Sequence, residues 1–312
     1  MGPRQGHSFV FNEVIKGVCM KHTVKILGLA LGVILSWQVV NAKTIVISDI
    51  DDTIKLSHIL DKTDSFKNVF RTENVFLGMN TAYQLLKSQD PNIEFFYVSN
   101  GPTLGVGDLH LKFLKTHSFP DRKNAFFRDV GYPDPQDPNE TIFGLDPDHK
   151  NKVISALIES KKPDLVIMIG DNGEQDPFVY DAIVKKYPNT KILSQIHMPY
   201  FTAATDPQYR GKALQGRQEG FATAYDMILS WLSRGIIQPQ SVVLFETLFR
   251  ESLAKEDKLN DKGAMALPDW TDCRDVKFDG SSLLLLPPEA IEQAAATLYV
   301  VDQRCSIPAY KN

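Results

Sequence analysis

The sequence predicts an α/β fold, a doubly wound parallel sheet with helices on both faces, followed by a helical C-terminal extension. Three observations predict it. Short apolar runs alternate with helical patterns, the signature of a helix-covered parallel sheet. Several of those runs are apolar throughout instead of alternating, as strands buried on both faces require. Two of them end abruptly in clusters of acids, which an open parallel sheet would carry at the carboxyl ends of its strands.

The first 42 residues stand apart from this pattern. Lys16, Lys21 and Lys25 precede an apolar stretch from Ile26 to Val40, which closes on the small-residue cleavage pattern Val40-Asn41-Ala42. Residues 1–42 therefore read as a signal peptide, and Met20 is an alternative start that would leave residues 1–19 as an over-extended beginning. The expectation is export, to a periplasm or out of the cell. The rival is an uncleaved membrane anchor, although the apolar stretch falls short of the about 20 residues that a span needs.

The core then runs over residues 43–201. Strands are predicted at Thr44–Ser48, Glu94–Ser99, Ala125–Arg128, Leu165–Ile169 and Lys191–Ile196. Helices are predicted near Asn80–Ser88, Leu104–Thr116, Lys150–Ser160 and Phe178–Lys186. Val153, Leu157 and Ile158 form one apolar helical stripe, which Asn151 or a neighbour would cap. Gly131 to His149 is rich in Pro, Asp and Asn and reads as an irregular loop. Residues 202–312 form the extension, packed on the core or completing it, with amphipathic helices at Glu219–Arg234 and Gln240–Lys255. Cys273 and Cys305 are an even pair there, read either as a disulfide or as two unrelated buried thiols.

Composition narrows the function. The chain has 312 residues, 43% of them hydrophobic, and a formal net charge of -4. No basic excess or Lys/Arg run marks a nucleic-acid footprint, and no Cys/His spacing suggests zinc.

The chemistry-bearing segment is Val46-Ile47-Ser48-Asp49-Ile50-Asp51-Asp52-Thr53-Ile54. Asp49 and Asp51 lie two apart and share a face if the strand continues. Such a pair can divide labour between nucleophile or metal ligand and proton donor, and its repulsion calls for Mg²⁺ or a lysine nearby. A polar strand end or a calcium loop is the plainer alternative. Three further segments favour the chemistry: Tyr97-Val98-Ser99-Asn100-Gly101, His149-Lys150, and Gly170-Asp171-Asn172-Gly173-Glu174-Gln175-Asp176-Pro177. Phosphoryl transfer to an aspartate needs this set of parts. Asp49 would attack, Asp51 would serve as general acid and base, and Ser99 and Lys150 would hold the phosphoryl oxygens. Lys152 is a competitor for the role of Lys150. Asp171, and either Asp176 or a helix N-cap at that position, would join Asp49 and Asp51 around Mg²⁺. Gly170 and Gly173 would permit the turn that exposes the second pair of acids.

These motifs resemble those of the haloacid dehalogenase superfamily. They are most similar to the phosphatidate phosphatase catalytic-domain family typified by the fungal actin-patch protein, whose chemistry is lipin-like. Ser48-Asp49-Ile50-Asp51-Asp52-Thr53-Ile54-Lys55, Tyr97-Val98-Ser99, His149-Lys150 and Gly170-Asp171 through Pro177 carry the resemblance over roughly residues 43–200. It implies a Rossmann-like fold, an aspartyl-phosphate at Asp49, a positioning role for Thr53, and phosphatidate or a related phospholipid as substrate. Asn100 joins Ser99 and Lys150 as a substrate-binding candidate. This chain has Asn at 100 and 172 where the family usually has Ser, changes expected to preserve activity while altering substrate preference. Two alternatives stand beside this reading: an exported general acid phosphatase acting on soluble phosphomonoesters, and a silent binding module that uses the C-terminal helices. Asp52 is expected behind the ligands, and Phe66, Phe70 and Phe76 are expected in the core rather than facing lipid. His58, His110, His117 and His197 show no ligand spacing and are expected to be structural or exposed.

Overall fold

The computed structural model describes residues 43–128, 148–256 and 262–306. Residues 1–42, read from the sequence as a signal peptide, and residues 131–147, read as part of a loop, lie outside them. At the centre stands β1 (Thr44–Ser48), whose five residues are all buried. Its side chains split between two cores, with Val46 on one face and Ile45 and Ile47 on the other. Burial on both faces explains why this strand shows no polar alternation.

Around it the sheet takes the order β4-β3-β1-β5-β6-β7, every pairing parallel. These strands are β3 (Glu94–Pro102), β4 (Ala125–Arg128), β5 (Leu165–Asp171), β6 (Lys191–His197) and β7 (Glu219–Phe221). The chain builds outward from β1 to β4 on one side, then returns to add β5, β6 and β7 on the other. That reversal puts the ends of β1, β3 and β5 at the switch point of the sheet, where such folds bind ligands.

Helices α4 (His149–Lys161) and α5 (Asp176–Lys186) cover one face, through Ile154, Leu157, Tyr180 and Ile183. The other face carries α2 (Met79–Gln89), α3 (Asp108–Thr116), α6 (Ala224–Ser233), α7 (Pro239–Lys255) and α8 (Pro288–Ser306). A short α1 (Lys62–Val69) follows the first motif. Val46, Phe95 and Ile167 of the sheet share one core with Trp231, Phe245, Phe249 and Val301. The C-terminal helices thus close the side of the sheet that α2 and α3 leave open. A parallel pair between β2 (Val75–Phe76) and β8 (Ala264–Met265) ties them to the entry of α2. Between these elements Gly78, at φ 86, begins α2, and a Cβ there would meet Phe245 and Phe249. Cys273 and Cys305 form a disulfide that anchors the last turn of α8.

Several boundaries differ from expectation. Leu104 and Gly105 have non-helical backbones, so α3 starts at Asp108 after a wide turn over Thr103–Gly107. The stretch from Glu219 to Phe221 is an edge strand, because Thr223 and Asp226 form a capping box that starts the helix only at Ala224. The N-cap of α4 falls to Asp148, a neighbour of Asn151, without a side-chain cap bond. Phe76 is buried as expected, but Phe66 and Phe70 are exposed. Among the described residues no helix is long and apolar enough to cross a membrane.

Candidate active site

The site forms where β1, β3 and β5 end and α4 and α5 begin. Asp49 follows β1, and its backbone N–H donates to Ile169 O at 2.8 Å, so the main chain fixes it against β5. Its carboxylate is buried. One oxygen accepts from Thr53 Oγ1 at 3.1 Å and the other from Lys150 Nζ at 2.8 Å. Lys150 arrives from the first turn of α4 with its side chain buried, and its ammonium also donates to Asp176 Oδ1 at 2.5 Å. Glu174 Oε2 stands 3.7 Å from the same nitrogen. Lys152, the competitor, is exposed.

Asp171 ends β5 and accepts backbone N–H bonds from Gly173 at 2.6 Å and Glu174 at 3.0 Å through Oδ1. Its Oδ2 is buried with no hydrogen-bond partner. Asp176 is the first residue of α5, with Gln175 as the N-cap, so its carboxylate is free to turn inward to Lys150. Gly170 is required by that approach, since a Cβ there would collide with the Asp176 carboxylate. Space, not a positive φ, is the reason for this glycine; neither Gly170 nor Gly173 has a left-handed backbone.

Asp49, Asp171 and Asp176 each bring a carboxylate oxygen within 4.8 Å of the others. Burial pushes the carboxyls of Asp49 and Asp171 well above the usual range. Lys150 opposes the shift, while neighbouring acids reinforce it. Burial would lower Lys150, but Asp176, Asp49 and Glu174 outweigh it and hold the ammonium well above its ordinary value. Three buried acids against one ammonium leave a charge deficit that a divalent cation would fill. Hard carboxylate oxygens, one of them orphaned, fit Mg²⁺.

Asp51, expected in this group, stands outside it. The extended strand stops at Ser48, and the backbone turns through Asp52 at φ 52, so the shared-face relation fails. Ser57 Oγ donates to Asp51 Oδ1 at 2.5 Å, and His110 Nε2 lies 3.0 Å from Oδ2. Burial would raise this carboxyl, but His110, with Lys55 and the Ser57 hydroxyl, holds it well below the usual range. His110 is buried on α3, and neither ring nitrogen makes an aligned hydrogen bond. Asp52 is buried rather than a surface acid. It accepts from the backbone N–H groups of Ser57, His58 and Ile59 and from Tyr200 OH, and burial pushes it up to about 6. Its work is to fold the loop that carries Ser57.

Ser99 is buried near the end of β3 and accepts from Gly101 N–H at 3.0 Å. Pairing with β4 shifts register between Ser99 and Pro102, which frees Asn100 and Gly101 from the ladder. Asn100 Nδ2 donates to Glu174 Oε2 at 3.2 Å, linking the second and fourth motifs. Asn172 does not face the cluster. It is buried and bonds the backbone of Tyr200 at both ends of its amide, 2.6 Å as donor and 3.2 Å as acceptor. His110 and Glu174 are the two participants that motif reading missed. The position of His110 three and four residues before the buried Phe113 and Leu114 places it on the inward stripe of α3, a signal present in the sequence.

Residues 44–196 match the family described as "Phosphatidate phosphatase APP1, catalytic domain". No curated protein matches the chain significantly. Among solved structures, the class C acid phosphatase from Bacillus anthracis is 16% identical, with a TM-score of 0.30 over 48% of this chain and 65% of that one. The tail-truncated TubZ of Clostridium botulinum phage c-st is 11% identical, with a TM-score of 0.29 over 69% and 50%. Both likenesses are too distant to argue from. Residues 44–196, with all four motifs, belong to the phosphatidate phosphatase catalytic-domain family.

Proposed function

We propose that the protein hydrolyses phosphatidate or a related phospholipid with Mg²⁺ in the acidic cluster, by way of a phosphoryl group carried on Asp49. The observation that carries this reading is the buried trio Asp49, Asp171 and Asp176 around one ammonium, with Asp171 Oδ2 left unpartnered.

In the reaction, the carboxylate of Asp49 attacks phosphorus and the ester P–O bond breaks. Thr53 and Lys150 hold the attacking carboxylate in place. The departing alcohol oxygen takes a proton from the Asp51–His110 pair, which stands 3.0 Å apart and shares that proton between ring and carboxylate. Asp51 then removes a proton from water, which attacks the phosphoryl group and releases phosphate from Asp49. Lys150, Ser99 and Asn100 steady the phosphoryl oxygens. Asp49, Asp171 and Asp176 would hold Mg²⁺, which when bound offsets charge on the phosphoryl oxygens. We also propose that the protein works in an oxidising compartment, consistent with the buried Cys273–Cys305 bond.

The test is hydrolysis of p-nitrophenyl phosphate, soluble sugar phosphates and phosphatidate vesicles, with Mg²⁺ or EDTA, beside Asp171→Asn. Thermal stabilisation by Mg²⁺ alone gives a readout apart from turnover. Metal-dependent turnover fastest on phosphatidate, with Mg²⁺ stabilisation lost in the variant, is the expected result. Faster turnover of soluble monoesters would make the protein a general acid phosphatase. No turnover on any ester would leave the binding module.

A further inference from the structure

Helix α1 rests one face on the loop that holds Asp51. Lys55 Nζ donates to the backbone carbonyls of Asn68 at 2.8 Å and Val69 at 3.3 Å, and Asn68 Nδ2 donates to Ser57 O at 3.3 Å. Ser57 in turn holds Asp51. The opposite face of the helix is open. Lys62, Thr63, Phe66, Lys67 and the C-capping Phe70 are all exposed, and helical geometry gathers them into an arc of about 140°. Phe66 is 70% and Phe70 60% exposed, and their rings meet edge to face at 5.6 Å. No described residue covers them.

Two more exposed apolar side chains follow the other strands that build the site. Leu104, 82% exposed, follows the β3 bulge, and Phe178, 47% exposed, follows Asp176. The arc on α1 places a lysine on either side of its aromatic pair, Lys67 also pairing with Asp64 at 3.3 Å on the exposed helix surface. One short helix face is far smaller than a stable protein interface requires. Aromatic side chains flanked by cations are the chemistry of a helix lying on an anionic bilayer.

We propose that the Phe66–Phe70 face of α1 docks the enzyme on an anionic lipid bilayer, with Lys62 and Lys67 against headgroup phosphates. The proposal rests on the phospholipid reading of the site and gives it a means of reaching a substrate embedded in a membrane. The chain as a whole is acidic, so attraction depends on local cations, and binding weakens as salt rises.

The test is sedimentation of the full chain with phosphatidylcholine vesicles with and without phosphatidylserine, whose headgroup offers no phosphomonoester to the active site. Wild type is compared with the Phe66→Ser/Phe70→Ser double variant, and p-nitrophenyl phosphate turnover reports that the variant is folded. The expected result is salt-sensitive binding to phosphatidylserine vesicles, reduced about tenfold or more in the variant, with soluble turnover unchanged. Equal binding by the variant, or no binding by wild type, overturns the proposal. Dimerisation lost in the variant without vesicle binding also overturns it and assigns the face to a second copy. Vesicle binding without any ester turnover supports the docking face while removing the phosphatase reading.

Discussion

Lys150 joins the first residue pair of α4 to the end of β1 through a 2.8 Å bond from its ammonium to Asp49 Oδ1. One cation thereby orients the attacking carboxylate and offsets part of the charge of the acids behind it. Replacing it with methionine is expected to lower kcat by about 10²–10³-fold, the scale for loss of one fixed charge-stabilising donor. The same variant leaves the acids uncompensated, so Mg²⁺ should raise its Tm more than it raises that of wild type. An equal Mg²⁺ shift in both proteins would count against the charge-balance account.

The Asp51–His110 pair makes a separate prediction about leaving groups. A nitrophenolate leaves without much help from an acid, whereas an alkoxide needs a proton. Asp51→Asn and His110→Phe should therefore slow alkyl phosphates far more than p-nitrophenyl phosphate, with the loss mainly in kcat. Uniform loss across both substrates would show that His110 serves packing alone.

Asp226 predicts the pH dependence of stability. Burial pushes it up to about 6 from 3.8, against hydrogen bonds from Thr223 and Ala222. Between about pH 4 and pH 6 the folded chain therefore binds more protons than the unfolded chain at this position, and stability falls as pH rises through that window. The loss is at most about 3 kcal/mol. Asp52 adds to this trend, while buried His197, lowered to about 4 by burial, opposes it. The comparison that isolates Asp226 is Tm against pH for wild type and Asp226→Asn. The difference should move in favour of the variant from pH 4 to pH 6.5, and a constant difference would contradict the assignment.

Removing the Cys273–Cys305 bond, by Cys273→Ala with Cys305→Ala, should lower stability by about 3 kcal/mol. Both sulfurs sit in the large core, so α8 should loosen first. Hydrogen exchange would show it as lost protection confined to Pro288–Ser306 and the segment around Cys273. Loss of protection throughout the sheet instead would mean that the bond supports the whole core.

The fold was readable where one local signal sufficed. The β-branched run before Asp49 has to be a buried strand, and the acids that follow it have to lie at its end. What escaped was tertiary. A lone histidine on a helix carries no ligand spacing, so the approach of His110 to Asp51 depends on how α3 packs. The edge strand Glu219–Phe221 hides inside an amphipathic pattern, although the Thr223–Asp226 capping box marks the true helix start. Phe66 and Phe70 read as core because aromatic side chains usually are, and only the packing of α1 on its polar side turns them outward. Asp51 shares a face with Asp49 only if the strand runs on through it, and the strand ends three residues earlier, at Ser48.

The central claim is a phosphoryl group on Asp49. Its most direct test is to quench the enzyme in acid during turnover and map phosphorylated peptides by mass spectrometry, with Asp49→Asn alongside. One labile phosphoryl group on the peptide containing Asp49, absent with turnover from the variant, is the predicted result. Wild-type turnover by Asp49→Asn, or a phosphoryl group carried on another residue, would contradict the account.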